Sequence, residues 1–301
     1  MNKSIGMLVL AVALWGTTVA PSKWAMEDVH PFTLTFLRLS IASLFFMPYA
    51  WFKAVKTNGR PNIAWKRISM LSFTGVSGYF LLNYYGLSMT SGVNSGILNA
   101  SLPLFTIVLA AIYLKEQIRI PQWIGLILGL AGVIVISVHP SEGNGSSLWG
   151  DLLILASCFV WAIYVVQMKR PGEEAELPSE LFTALTFMLG ACMLIPFTAF
   201  EIGMYGLPDI TQKLLVSVAF LAAGPTIAAY WLWNKALESV SAARAGVYLN
   251  TLPLISVLTA ILLLGESVSW RTVVGGILIL GGVLWAERKK AVPLMNVHEQ
   301  T

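Results

Sequence analysis

Ten apolar runs follow one another along the chain, separated by short polar segments. Each run is close to the ~20 residues that an α-helix needs to cross the hydrocarbon core of a bilayer. The runs lie at about residues 5–26, 31–52, 68–88, 92–114, 120–138, 149–168, 179–200, 213–236, 242–264 and 270–287. The pattern therefore predicts an all-α integral membrane protein with ten transmembrane helices.

The composition agrees with a chain whose solvent is lipid. Hydrophobic residues make up 56% of the sequence and charged residues 11%, whereas soluble domains carry about a quarter charged residues. The pI is near 9.0, but no basic cluster is interleaved with aromatic residues, so nucleic acid is not an expected partner. The apolar run that follows Lys3 is interpreted as the first helix and not as a cleaved signal peptide, because matching spans follow it.

The basic residues favour one orientation in the membrane. With a cytoplasmic N-terminus, fifteen of the 19 Lys and Arg residues fall on the cytoplasmic side. These fifteen are Lys3, Lys53, Lys56, Arg60, Lys66, Arg67, Lys115, Arg119, Lys169, Arg170, Lys235, Arg244, Arg288, Lys289 and Lys290. Cytoplasmic loops carry an excess of Lys and Arg. The sequence thus predicts a multi-pass protein of the cell inner (plasma) membrane with both termini in the cytoplasm.

An internal repeat links residues 82–134 to residues 232–284, at an offset of 150. Ser101-Leu102-Pro103-Leu104 lies opposite Thr251-Leu252-Pro253-Leu254, and Gly96, Glu116, Gly125 and Gly132 lie opposite Gly246, Glu266, Gly275 and Gly282. Each half holds five predicted helices, and an odd number inserts the second half upside down. The expected fold is therefore a 5+5 inverted-topology repeat, which is typical of secondary transporters.

These residues resemble the drug/metabolite transporter superfamily, in its ten-helix EamA family. The likeness covers nearly the whole chain and rests on Leu14-Trp15-Gly16 with Lys23, on Leu37-Arg38, and on the Pro-Leu, Glu and Gly series that closes each half. It implies a first EamA repeat at 1–140 (helices 1–5), a second at 149–290 (helices 6–10) and a cytoplasmic tail at 291–301. It also implies a central cavity lined mainly by helices 1, 3, 4, 6, 8 and 9, with substrates that range from amino acids to drugs.

Amide and aromatic residues on those helices form the candidate substrate site. Amides in hydrocarbon must find partners, so they face other helices or water. With Arg38 of span 2, the candidate substrate-binding residues are Trp15, Asn83, Tyr84, Asn99, Trp161, Tyr164, Tyr230 and Asn250. Simple bonding between helices is the alternative role for the amides.

Two basic side chains inside the first spans need an explanation, because a charge near the bilayer centre costs at least ~2.5 kcal/mol. Lys23 lies four residues before Glu27, so snorkelling or a local ion pair accounts for it. Arg38 lies about two turns inside span 2. Its alternatives are a structural bond to carbonyl groups or an acid, and binding of a substrate carboxylate.

Prolines and glycines mark the expected bends and helix contacts. Pro103 and Pro253 interrupt spans 4 and 9 at matched places, and act either as static bends or as hinges for alternating access. Gly125, Gly129 and Gly132 share one face of span 5, and Gly275 and Gly282 repeat part of that face in span 10. Such faces let helix backbones approach closely, so a packing contact is expected, with dimerisation of the chain as the alternative.

Several residue patterns that would indicate catalysis or cofactor binding are missing from the sequence. Glu116 and Glu266 end their spans and Asp151 opens span 6, so no Asp or Glu is expected in mid-membrane. Cys158 and Cys192 lie in apolar runs, and no metal-ligand spacing, catalytic set or nucleotide-binding loop is present. The protein is therefore not expected to be an enzyme or to need a cofactor.

A secondary transporter is the function that this pattern favours. The expected activity is export or facilitated passage of amino acids or related small metabolites by alternating access, with the lipid bilayer and a small-molecule substrate as partners. The alternatives are multidrug efflux, an intramembrane enzyme or a non-transporting scaffold. The sequence leaves the oligomeric state open, with a monomer among the possibilities.

Overall fold

The computed structural model describes residues 2–58, 62–137, 147–168, 177–237, 239–240, 248–249 and 251–286. Its elements are all helical, and helices that continue into one another receive one label here. The first half holds α1 (Asn2–Gly16 and Val19–Ala25), α2 (Pro31–Asn58), α3 (Trp65–Ser72, Phe73–Ser77 and Gly78–Met89), α4 (Gly92–Asn99 and Leu102–Tyr113) and α5 (Ile120–Ser137). The second half holds α6 (Leu148–Met168), α7 (Ser179–Tyr205), α8 (Gln212–Leu221, Ala222–Ala228 and Ala229–Leu237), α9 (Leu252–Leu264) and α10 (Trp270–Ala286).

These elements follow the predicted apolar runs closely. Seven helices of the described chain are long and apolar enough to cross a membrane, namely those at Lys3–Ala25, Pro31–Lys56, Gly92–Tyr113, Ile120–Ser137, Leu148–Met168, Ser179–Tyr205 and Gln212–Leu237. The described parts of α9 and α10 are shorter apolar helices, and α3 is not among the seven. The structure thus agrees with a multi-pass membrane protein, and the spanning of all ten helices stays a prediction.

Two π-helical turns interrupt α3 and α8 at matched places. They cover Phe73–Ser77 and Ala222–Ala228, which overlap when the sequence is shifted by the repeat offset of 150 residues. Pro225 has no N–H to donate within the second turn, and the Thr226 hydroxyl bonds the Leu221 carbonyl at 2.7 Å. Such turns carry one extra residue and occur often at functional sites.

The helices pack in pairs that correspond when the two halves are exchanged. α2 packs on α7, α5 packs on α10, and α4 packs on α9. The contact of α3 with α6 corresponds to the contact of α8 with α1. In the same way, the contact of α4 with α6 corresponds to the contact of α9 with α1. Most contacts that build the core therefore join one half to the other.

The glycine face of α5 packs on the glycine face of α10. The predicted packing contact is therefore present, and the structure identifies its two partners. A Cβ atom added to Gly132 would lie 2.6 Å from the Gly275 carbonyl oxygen, and one added to Gly125 would lie 2.4 Å from the Gly282 carbonyl oxygen. Real Cβ atoms do not approach backbone this closely. The faces therefore form a packing contact within one chain, which we call the glycine seam.

The glycine seam gives a matched test of stability. Gly282→Ala places a methyl group 2.7 Å from the Gly125 carbonyl oxygen, while Gly281→Ala has nothing within 4 Å. We expect Gly282→Ala to lower the free energy of unfolding by about 1–3 kcal/mol through overpacking. Gly281→Ala should leave it unchanged or slightly raised. Thermal unfolding of both variants in detergent measures the difference, and equal effects would contradict the seam.

Candidate functional site

An aromatic cluster joins α1 to α8 beside the second π-helical turn. The Trp15 indole N–H donates to the Pro225 carbonyl, within the second π-helical turn, at 2.9 Å. The Trp15 ring lies 5.1 Å from the Tyr230 ring and 5.2 Å from the Trp233 ring. Phe187 of α7 completes the cluster, edge to face with Tyr230 at 4.9 Å. Trp15 is therefore held in one orientation.

A second aromatic cluster joins α6 to α3 beside the first π-helical turn. The Trp161 ring lies 4.9 Å from the Tyr79 ring and 5.2 Å from the Tyr164 ring. Tyr164 lies flat against Gly75, where an added Cβ would come within 2.6 Å of the ring. Tyr79 contacts Phe80 at 5.1 Å. The two clusters thus repeat the same arrangement: a tryptophan of the first helix in each half against the π-helical turn of the opposite half.

Arg38 lies between the clusters and is 3% exposed. Its Nε and Nη2 groups donate to the Thr226 hydroxyl at 3.2 and 2.8 Å, and its Nη1 group donates to the Tyr84 hydroxyl. The guanidinium carbon lies 5.0 Å from the centre of the Phe80 ring. None of the ion pairs among the described residues involves Arg38. The charge is therefore held by neutral groups, and two of its five N–H donors are not used in these bonds.

The amides form a short network between α3, α4 and α6. Asn83 Nδ2 donates to Asn99 Oδ1 and to Ser157 Oγ, both at 3.0 Å. Asn99 Nδ2 donates to the Ser95 carbonyl at 2.9 Å. The two bonds of Asn83 join helices, which was one of the two roles expected for the amides. Asn83 is buried and Asn99 is half-buried.

The clusters, the guanidinium and the amide network are linked by direct contacts. Phe80 lies against the Arg38 guanidinium and contacts Tyr79, and Tyr79 contacts Trp161. Tyr84, which bonds Arg38, directly follows Asn83 of the amide network. The predicted residues that the structure brings together are Trp15, Arg38, Asn83, Tyr84, Asn99, Trp161, Tyr164 and Tyr230. Asn250 lies outside the described residues. We call this region the central site.

Tyr79, Phe80 and Thr226 are among the residues of this region that were missed at the level of sequence. Tyr79 and Phe80 precede the predicted pair Asn83 and Tyr84 by one turn, and Thr226 lies in the second π-helical turn. A signal for Phe80 was present, because the repeat offset of 150 residues places it opposite Tyr230. Thr226 carries no such signal, since its role depends on the local change in helix geometry.

The predicted bends lie at helix breaks. α4 is broken at Ala100 and Ser101, and Pro103 occupies the start of its second part. Pro253 occupies the corresponding place at the start of the described part of α9. Pro lacks an N–H and is tolerated in the first turn of a helix. The breaks are therefore structural, and movement at Pro103 and Pro253 stays a prediction.

Snorkelling and a local ion pair with Glu27 were the alternatives for Lys23, and the ion pair with Glu27 is wrong. Lys23 Nζ lies 3.5 Å from Glu266 Oε1, and Glu27 pairs instead with Lys213. The reason is that Glu266 also accepts the N–H groups of Gly92 and Val93 at 2.8 Å each, which caps the first turn of α4 and fixes the carboxylate beside Lys23. Glu266 thus ties helix ends of the two halves together.

A second carboxylate caps a helix across the halves at the same end of the bundle. Glu201 of α7 accepts the N–H groups of Phe32 and Thr33 at 3.0 and 2.7 Å, and also the Thr33 hydroxyl. Two cavities of about 220 and 360 Å³ open here, the first lined by Glu201 and the second by Lys23 and Glu266. No predicted substrate-binding residue lines either cavity. We call this end of the bundle the carboxylate-capped end.

Comparison with known proteins assigns the chain to a class. The model of the EamA-like transporter family matches residues 2–138 and again residues 148–287. An uncharacterized transporter of Archaeoglobus fulgidus is 32% identical over 288 residues, which cover 94% of this chain and 98% of that protein. A Salmonella typhimurium protein named probable amino-acid metabolite efflux pump is 25% identical and covers 94% of each chain.

The fold is also found among solved structures. One crystal structure matches with a TM-score of 0.63 and 21% sequence identity, covering 95% of this chain and 97% of the other. At this identity the match shows a shared helical fold.

Proposed function

Because the chain belongs to the EamA-like transporter family, we propose that it is a secondary transporter that carries amino acids or related small metabolites through the central site by alternating access. The observation that carries the proposal is the buried charge of Arg38, which contacts the Tyr84 and Thr226 hydroxyls and no carboxylate in the described chain. The family and the relatives support transport as such, and the central site supports the substrate class.

Arg38 favours a substrate with a carboxylate. A charge taken out of water is costly unless it is paired, and neutral hydroxyl groups offset only part of that cost. A guanidinium binds a carboxylate with two parallel N–H donors. Arg38 uses three donors in this conformation, and its two hydroxyl partners are exchangeable for a stronger acceptor. A bound carboxylate would therefore complete the pairing.

The aromatic clusters suit the rest of an amino acid. Trp15 and Trp161 supply an indole ring to each cluster, and indole faces attract an ammonium group through the ring quadrupole while they also contact apolar side chains. The amide network of Asn83 and Asn99 supplies both donors and acceptors. A zwitterion with an apolar or small polar side chain matches this set better than a large cation does.

Alternating access follows from the pairing of the halves. We propose that residues 1–140 and 149–290 act as two units of opposite topology in the plasma membrane, with cytoplasmic termini and a cytoplasmic tail at 291–301. Rocking of one unit against the other would open one end as the other closes. The breaks before Pro103 and Pro253, which lie at matched places, supply the flexing points.

Multidrug efflux is the main alternative and has less support. Binding of cationic drugs in the membrane usually relies on a carboxylate. Among the described residues, the groups that surround the central site are phenols, indoles, amides and the Arg38 cation, which repels a cation. Catalysis by the same centre has no support either, since these groups do not form a nucleophile and base pair.

Counterflow in liposomes tests the proposed function. Purified protein is reconstituted and loaded with one unlabelled amino acid, and uptake of labelled amino acids is measured against protein-free liposomes. We expect exchange of a subset of amino acids and weak or no exchange of the corresponding amines, which lack the carboxylate. Exchange confined to organic cations would contradict the proposal and favour multidrug efflux.

A further inference from the structure

Asp151 is a buried carboxyl group whose role no part of the central site explains. It lies in the first turn of α6 and is 0% exposed. Its Oδ1 atom accepts the Thr90 hydroxyl at 2.5 Å, while Oδ2 has no hydrogen-bond partner among the described residues. The sequence placed this residue at the edge of a span, where water would solvate it. The structure instead removes it from water.

The atoms around Asp151 are suited to a protonated carboxyl group. The side chains that face it are Thr90 in the link between α3 and α4, Asn94 of α4 and Ser137 of α5. The Ser137 hydroxyl is buried and, within the described chain, has no partner of its own. An ionised carboxylate accepts only, and burial without compensation is costly. A proton on Oδ2 gives a donor to the free Ser137 oxygen.

No other charge faces Asp151 from the helices packed on α6. Those helices are α3, α4 and α5, and in their described parts the groups that face the carboxyl, Thr90, Asn94 and Ser137, are not titratable. Asn94 is also engaged on its far side, where its Oδ1 atom accepts the Thr272 hydroxyl at 3.3 Å. A cationic side chain that would hold Asp151 ionised is therefore not found in that part of the structure.

The surroundings of Asp151 lie on the interface between the halves. Asp151 belongs to the second half, and the three residues that face it belong to the first. Next to it, a Cβ atom on Gly150 would lie 2.8 Å from the Met89 backbone and 2.9 Å from the Gly86 carbonyl oxygen. α3 and α6 therefore touch through their backbones at this point. If the halves separate at this end, that contact is lost and water reaches Asp151.

α6 connects this carboxyl group to the central site. Ser157 lies six residues along the same helix, ~9 Å away, and accepts Asn83 of the amide network. Asn94 and Asn99 lie on α4, so both groups of residues rest on the same two helices. A movement of α6 relative to α4 therefore changes both environments together.

We propose that Asp151 binds one proton whenever the carboxylate-capped end closes and releases it to the solution outside the cell when that end opens. The inference rests on the proposed function for its orientation in the membrane. The O–H bond forms on Oδ2 with a proton from water, and the same bond breaks on opening, so no other reactant is needed. The ligand is a proton, and a sodium ion is the competing monovalent cation.

Counterflow at varied external pH tests the inference. In wild type, closure of this end needs a proton, so the exchange rate should fall by about tenfold per pH unit above the pH at which the open site titrates. Asp151→Asn keeps the hydrogen-bonding shape without titration, so its exchange should not respond to external pH. Asp28→Asn is the matched control, because Asp28 also accepts a threonine hydroxyl, that of Thr211 at 2.6 Å, at the same end but is only half-buried.

Three results would overturn the inference. They are an unchanged pH response in Asp151→Asn, a loss of the response in Asp28→Asn, and stimulation by sodium at constant pH in wild type but not in Asp151→Asn. Infrared spectroscopy gives a readout that needs no transport. The carbonyl band of a protonated carboxyl should be absent in Asp151→Asn. In Thr90→Val, which removes the hydroxyl that donates to Oδ1, the band should shift to higher wavenumber. Thr90→Val therefore tests the protonation of Asp151 even when Asp151→Asn does not fold.

The two proposals fail in different ways. Wild-type protein that exchanges no amino acid would contradict the proposed function, and the infrared band would still decide the protonation of Asp151. Amino-acid exchange with an Asp151→Asn variant that keeps the wild-type pH response would contradict only the proton site.

Discussion

Replacing Arg38 with leucine is expected to reduce the affinity for amino acids by about 100-fold or more while sparing the fold. Truncating one partner of a buried charge pair costs about 2–5 kcal/mol, which corresponds to ~30-fold to several thousand-fold. In the described chain the buried guanidinium contacts two hydroxyls and the rings of Phe80 and Tyr84, so its removal leaves no carboxylate of the described chain unpaired. The loss should therefore fall on the substrate and not on stability.

The measurement compares each amino acid with its amide, which lacks the negative charge. Binding to wild type should favour the amino acid strongly, and the Arg38→Leu variant should bind the two forms about equally. Arg271→Leu is the matched control, because Arg271 lies over the Trp270 ring at an end of α10, away from the central site. Equal losses for the amino acid and its amide in Arg38→Leu would assign Arg38 a structural role.

Replacing Glu266 with alanine is expected to open the carboxylate-capped end. The change removes two hydrogen bonds to the first turn of α4 and the ion pair with Lys23. Loss of a helix cap costs about 0.5–2 kcal/mol, and the partly buried ion pair adds to this. When the closed state is only a few kcal/mol more stable than the open one, a loss of ~1.4 kcal/mol raises the population of the open state about tenfold.

Labelling of a cysteine at Leu87 measures this opening. Leu87 lines the cavity that Lys23 and Glu266 share and is 3% exposed, so Leu87→Cys should react faster with an impermeant thiol reagent when Glu266→Ala is added. Glu27→Ala is the control, because the pair between Glu27 and Lys213 is exposed and contributes little. Faster labelling with Glu27→Ala, or none with Glu266→Ala, would contradict the role of Glu266.

Much of the fold can be predicted from hydropathy and the repeat, because each helix in lipid must satisfy its backbone within itself. The helix α3 is the exception to prediction from hydropathy. α3 is helical over Trp65–Met89 but is less apolar than the helices that meet the length and composition expected of a span. Five of its polar and aromatic residues, Ser72, Thr74, Ser77, Asn83 and Tyr84, are buried among the helices, so lipid imposes less on its composition than on that of α5 or α10.

The partners of charged groups could not be predicted from spacing along the chain. Lys23 and Glu27 lie one helical turn apart, but the turn after Ala25 ends the helix and leaves Glu27 exposed to pair with Lys213. Asp151 lies in the first turn of α6, a place that usually faces water. Three neighbours from other helices bury it, and such burial depends on packing that spacing does not encode.

The matched π-helical turns also bear on how relatives of this protein diverge. Each turn is in effect a one-residue insertion, so deleting one residue from Phe73–Ser77 would restore a regular helix and rotate everything after it by ~100°. Tyr79 and Asn83 would then point to a different side of the bundle. Deleting one residue from Ala222–Ala228 would rotate Tyr230 in the same way. Single insertions and deletions at these turns can therefore replace the whole lining of one wall, a larger change in specificity than any point substitution within it.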